Sequence, residues 1–232
     1  SFSSDEHKLI LETNTESIFR RSVLGNYYVY DIELEQLSLI SDNKIQEPTF
    51  SPDGTKVAFA LNNNLFIKDL ISGKTNQITF DGEKNRVING ITDWVYEEEF
   101  AFVRAFEWNI NSNRIAFIRF DESDVPEFSM DVYGKDLYQT QNVFKYPKAG
   151  EDNSIVSVKI FNLDNNKTID VNIGTETEIY IPRIEWTKDA SKLSVQRLNR
   201  LQNHFEILLA DAATGKTSLL YEEKDKCYVE VN

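Results

Sequence analysis

The residues best placed to do chemistry lie in one stretch, Asn89-Gly90-Ile91-Thr92-Asp93-Trp94-Val95-Tyr96-Glu97-Glu98-Glu99-Phe100. Three adjacent carboxylates stand here among large aromatic residues, an arrangement that is costly unless the charges are solvated or face a cation. The stretch does not alternate like a strand. Asp93 is suited to cap a helix N-terminus, and acidic residues in a first turn gain from the helix dipole. A short helix is therefore expected, with two uses open to it: a solvated acidic turn, or a seat for a positively charged group.

Other chemistries are poorly supplied. A single cysteine, Cys227, allows no internal disulfide, and with only His7 and His204 beside it a zinc site of sulfur and imidazole is not expected. No metal or cofactor is assigned. The nucleophile elbow of a serine hydrolase needs Gly-x-Ser-x-Gly, yet no two of the nine glycines are four positions apart. No residue is assigned a catalytic role. The formal charge of −13 repels phosphate backbones, which argues against nucleic acid and suits cationic ligands. The longest apolar run, Val57 to Leu61, falls far short of the ~20 residues that span a bilayer, so no membrane span is expected.

The elements that must position the acidic stretch show themselves as a repeat. Four segments share an aromatic residue, a polar turn and an apolar strand: Phe2 to Leu11, Phe50 to Phe59, Trp108 to Phe117 and Trp186 to Val195. The Ser51-Pro52-Asp53-Gly54 turn is the sharpest copy, because Pro presets φ and Gly accepts a positive one. Each unit continues into a second hairpin, predicted at Tyr27–Ile32 with Leu37–Ile40, Leu65–Leu70 with Gln77–Phe80, Val156–Leu163 with Thr168–Ile173, and Phe205–Ala210 with Thr217–Tyr221. The leading aromatics are 48, 58 and 78 residues apart, from positions 2, 50, 108 and 186. A base unit of ~40–50 residues with four strands is a propeller blade, and the longer units imply insertions. A β-sandwich with chance likeness between its hairpins is the competing architecture. Residues 1–232 are thus expected to be all-β: one partial β-propeller of about four blades, with the helical insertion between the second and third. Four blades make an arc, so the chain is expected to be a fragment with open flanks that favour a homodimer.

The acidic stretch resembles, nearly residue for residue, the double-glutamate signature of the dipeptidyl peptidase IV family. Phe120-Asp121-Glu122-Ser123-Asp124-Val125-Pro126, Tyr133-Gly134 and Tyr146-Pro147-Lys148-Ala149-Gly150 are similar to family segments in the same order. In that family a propeller covers an α/β-hydrolase domain, and two glutamates bind the free N-terminus of a peptide. The resemblance places that pair at Glu98 and Glu99 and leaves Glu97 a structural role. Phe19-Arg20-Arg21-Ser22, ahead of Tyr27-Tyr28-Val29-Tyr30-Asp31, resembles the place of an arginine that contacts a substrate carbonyl and a motif glutamate. Family members often carry His after that arginine, whereas Arg21 stands here.

What the resemblance implies is a substrate-binding portion of a serine-type exopeptidase that releases N-terminal dipeptides. Its partners would be peptides with a free N-terminus and the parent's own hydrolase domain, which would hold the Ser, Asp and His. The chain alone is expected to be inactive, and a secreted or periplasmic parent is implied. The alternative is a propeller that binds proteins or peptides without catalysis.

Overall fold

The computed structural model describes residues 1–231. Four antiparallel sheets follow one another along the chain. The first holds β1 (Lys8–Ser17), β2 (Val23–Asp31) and β3 (Gln36–Leu39), and the second β4 (Gln46–Phe50), β5 (Lys56–Leu61), β6 (Asn64–Asp69) and β7 (Thr75–Gln77). The third is built from β8 (Val87–Asn89), β9 (Phe106–Trp108) and β10 (Arg114–Asp121), and is completed by β13 (Ile155–Asn162) and β14 (Lys167–Asp170). A separate hairpin of β11 (Glu127–Val132) and β12 (Thr140–Lys145) leaves it between β10 and β13. The fourth comprises β15 (Ile179–Tyr180), β16 (Ile184–Trp186), β17 (Lys192–Asn199), β18 (His204–Asp211) and β19 (Thr217–Lys224). These are the blades of a partial β-propeller. The one helix among the described residues is α1 (Trp94–Glu99), and no helix there is long and apolar enough to cross a membrane.

Turn chemistry explains why the repeat folds as it does. Ser3 Oγ donates to Asp5 Oδ1 at 2.6 Å, and Ser51 Oγ donates to Asp53 Oδ1 at the same distance. Gly54 closes the second of these turns at φ +65°, with its N–H on the Ser51 carbonyl. The second hairpins use a different device. Asp31, Asp69, Asn162 and Asp211 each end a strand and accept backbone N–H groups two or three residues on, which starts the reversal. Two of the four predicted outer strands lie where expected, while in the third blade β14 ends at Asp170, short of the predicted Ile173. In the second blade β7 ends at Gln77, short of the predicted Phe80.

Packing runs between blades rather than within them. Ile10, Tyr27, Val29, Ile40 and Ile45 of the first blade bury against Phe50, Val57 and Phe59 of the second. A larger core links Ala58, Leu65 and Ile67 of the second to Phe106, Phe117 and Phe120 of the third, and on to Ile184, Leu193 and Leu208 of the fourth. This nearest-neighbour stacking is how repeat architectures obtain a core from sheets too thin to have their own.

Candidate functional site

The inner strand of the third blade is broken, and the acidic helix occupies the break. β8 pairs with the far end of β10 at Arg119–Asp121, while β9 pairs with Ile115–Phe117. Between them the chain leaves at Gly90 and returns at Ala105. Gly90 N–H donates to the Ile118 carbonyl, Ala105 N–H to the Gly90 carbonyl, and Ile118 N–H to the Ala105 carbonyl. Gly90 is required at the exit: its φ is +75°, and a Cβ there would stand 2.4 Å from the Leu65 side chain.

Asp93 caps α1, with Oδ1 accepting from Tyr96 N–H at 3.0 Å and Oδ2 accepting from Ser154 Oγ at 2.6 Å. Burial pushes the Asp93 carboxyl up, against these two hydrogen bonds. Tyr96 points into the core among Phe100, Phe102, Phe120 and Tyr180, and its Oη accepts the Ile181 N–H at 2.9 Å. Ile181 lies in the matching break of the fourth blade, between β15 and β16. Arg183, from the same break, donates to the Phe100 carbonyl at 3.0 Å. The helix is thus riveted across two blades.

The three carboxylates meet three environments. Glu97 is buried, and its Oε1 accepts from the backbone N–H groups of Arg21 and Ser22. Glu98 keeps 18% of its side chain exposed and receives Arg20 Nε at 2.8 and 3.0 Å. Glu99 is exposed at the helix end. The structure therefore joins Arg20 to Glu98 across 78 residues, while Glu99, the next residue of α1, makes no hydrogen bond or ion pair to either among the described residues. Arg20 engages Glu98 through Nε alone, and among the described residues no acceptor reaches its Nη groups.

Beside this pair opens a groove of 680 Å³. Its walls include Trp94, Phe128, Phe144 and Tyr146, with Trp94 and Tyr146 centroids 4.3 Å apart. Phe128 and Phe144 come from the β11–β12 hairpin, whose wall was not anticipated from pattern alone. Behind it lies Glu122, buried and without a carboxylate hydrogen bond. Burial first, and the Asp93 charge second, raise its carboxyl to about 7, with Lys145 opposing. Among the described residues one group of possible metal ligands comes together, His204 with Glu206 and Glu222, but its carboxylates already pair with Arg197 and Lys224.

Residues 3–232 match the family model described as the dipeptidyl peptidase IV N-terminal region. The chain belongs to that family. A solved structure of Porphyromonas gingivalis dipeptidyl peptidase 4 superposes with a TM-score of 0.95 at 41% identity, covering 98% of this chain and 33% of that one. A "Probable dipeptidyl-aminopeptidase B" of Talaromyces marneffei is 30% identical over 94% of this chain and 26% of its own length. Human prolyl endopeptidase FAP is 30% identical over 90% of this chain and 29% of its own length. The chain therefore spans between a quarter and a third of the length of these relatives. Three features of the site escaped sequence reading: the Glu97 tether, the Asp93–Ser154 bond and the buried Glu122. Each depends on a partner distant in sequence or on burial. Of the three, only the capping aspartate carried a local signal.

Proposed function

We propose that this chain is the substrate-anchoring part of a serine-type dipeptidyl peptidase that releases dipeptides from free peptide N-termini. Glu98 and Glu99 receive the N-terminal ammonium, and Arg20 offers its unused Nη groups to a substrate carbonyl. The supporting observation is the Arg20–Glu98 pair on the helix of the double-glutamate stretch. An ammonium has three donors, and two adjacent carboxylates can take several of them as charge-assisted bonds. Anchoring the terminus fixes its distance from the bond to be cut, so the product has a set length.

The test is made in the full-length protein with a chromogenic dipeptidyl substrate. Glu98→Gln or Glu99→Gln leaves the ammonium half-paired, and kcat/KM falls by about 10²–10³, the scale of a broken buried charge pair. An N-terminally acetylated substrate is cleaved equally slowly by wild type and variants. Wild-type turnover of the acetylated substrate at the rate of the free one would refute the anchoring role.

A further inference from the structure

We propose that Glu97 is a positioning residue for substrate anchoring: its carboxylate ties the loop bearing Arg20 to α1, and so sets where Arg20 stands beside Glu98. The inference rests on the reading of Glu98, Glu99 and Arg20 as the anchor.

Glu97 is 1% exposed, and a carboxylate so placed persists only with strong partners. It has two, the successive N–H groups of Arg21 and Ser22, both received on Oε1, that from Ser22 at 2.8 Å. Consecutive backbone donors converging on one anionic oxygen form a concave anion seat. Here the anion belongs to the protein itself and arrives from 75 residues away.

The seat is shaped by the loop's own bonds. Ile18 N–H donates to the Ser22 carbonyl at 2.9 Å, and Phe19 N–H to Ser22 Oγ at 3.1 Å. These close a tight turn with Arg20 within it. The Arg20–Glu98 ion pair cannot hold that turn in place, because the arginine side chain is 70% exposed and such pairs are weak. The buried, charge-assisted bonds of Glu97 are the stronger fastening. Glu97 and Glu98 are neighbours on one helix turn, about 100° apart around its axis. One grips the loop backbone and the next meets the loop side chain, so position and rotation are fixed together.

Glutamine at position 97 keeps one acceptor oxygen but loses the charge and adds two buried donors. Alanine removes the tether altogether. In the full-length protein Glu97→Ala is expected to raise KM about tenfold, Glu97→Gln less, with kcat changed by less than about threefold, because misplacing a binding group by about 1 Å is costly. In an Arg20→Ala background Glu97→Gln should have no further effect, since its contribution passes through Arg20. In the present chain, hydrogen exchange at the Arg21 and Ser22 amides should speed about tenfold or more in Glu97→Gln while the sheets keep their protection.

A Glu97→Gln variant with wild-type KM would overturn the proposal, as would losses that multiply independently with Arg20→Ala. Unchanged exchange at Arg21 and Ser22 would overturn it too. If Glu97→Ala does not fold, the glutamine variant and the exchange measurement still decide. If wild type shows no preference for free N-termini, the anchoring reading fails instead, and exchange alone judges the tether.

Discussion

Three glutamates with identical side chains take one buried, one half-buried and one exposed position because a helix turns each about 100° from the last. Environment, not residue type, gives them different work, and the same holds for Glu122. Its carboxyl rises to about 7 through burial and the nearby Asp93 and Asp121 charges, only partly offset by Lys145. Asp93 is raised by burial as well. For a group raised in the folded state, the stability it lends is complete below the unfolded value and is lost as pH climbs through the folded one. Stability should therefore fall between pH 4.5 and 7, with a ceiling of about 3 kcal/mol from Glu122. Urea unfolding at pH 5 and pH 8 tests this. Glu122→Gln should be more stable than wild type at pH 8 and should show a shallower pH dependence. Parallel curves for the two proteins would count against it. The sequence made Glu98, Glu99 and Arg20 legible only through a family likeness. The tether of Glu97 was invisible because its partners are main-chain N–H groups, which every residue but proline carries.

At the scale of elements, α1 is far too short to be stable alone, since helices below ~12–15 residues are marginal in water. It persists through its rivets: Asp93 to Ser154, Tyr96 to Ile181, and Arg183 to the Phe100 carbonyl. Tyr96→Phe keeps the ring and its aromatic neighbours but leaves the Ile181 N–H buried without an acceptor. A loss of about 1–3 kcal/mol is expected on chemical denaturation, the cost of an orphaned buried donor. A change below about 0.5 kcal/mol would mean that another acceptor takes its place. The outer hairpins were readable because turn residues such as Ser72-Gly73-Lys74, Asp164-Asn165-Asn166-Lys167 and Ala213-Thr214-Gly215-Lys216 separate their apolar runs. The inner strands were not. β8 and β9 have three residues each and are separated by the helical excursion, so neither gives a period-2 run long enough to see. The β11–β12 hairpin was equally hidden, entering only as surplus length in the third repeat.

Across the whole molecule, the blades share their cores in series, first with second and second through fourth. Among the described residues no core cluster joins the fourth blade back to the first. Among the described residues each end blade shares a core with one neighbouring blade. The first blade leaves Leu11, Ile32 and Leu37 exposed, and the outer strand of the fourth leaves Leu219, Leu220 and Tyr221 exposed. In a stacked-repeat protein the end units lack a neighbour's interface contribution and are the weakest. Exposed apolar residues on a sheet with a free edge also invite pairing with a second chain. The net charge of −13 opposes indiscriminate aggregation but cannot cover an apolar surface. The isolated 232-residue chain is therefore expected to dimerise through an end blade, with added salt strengthening association by screening the like charges. Light scattering over a dilution series at low and high salt reads this directly. Leu219→Lys with Tyr221→Lys should shift the fourth blade's outer strand toward monomer. Mass that stays monomeric at every concentration and salt, with a single cooperative melt, would show that the end blades are self-sufficient.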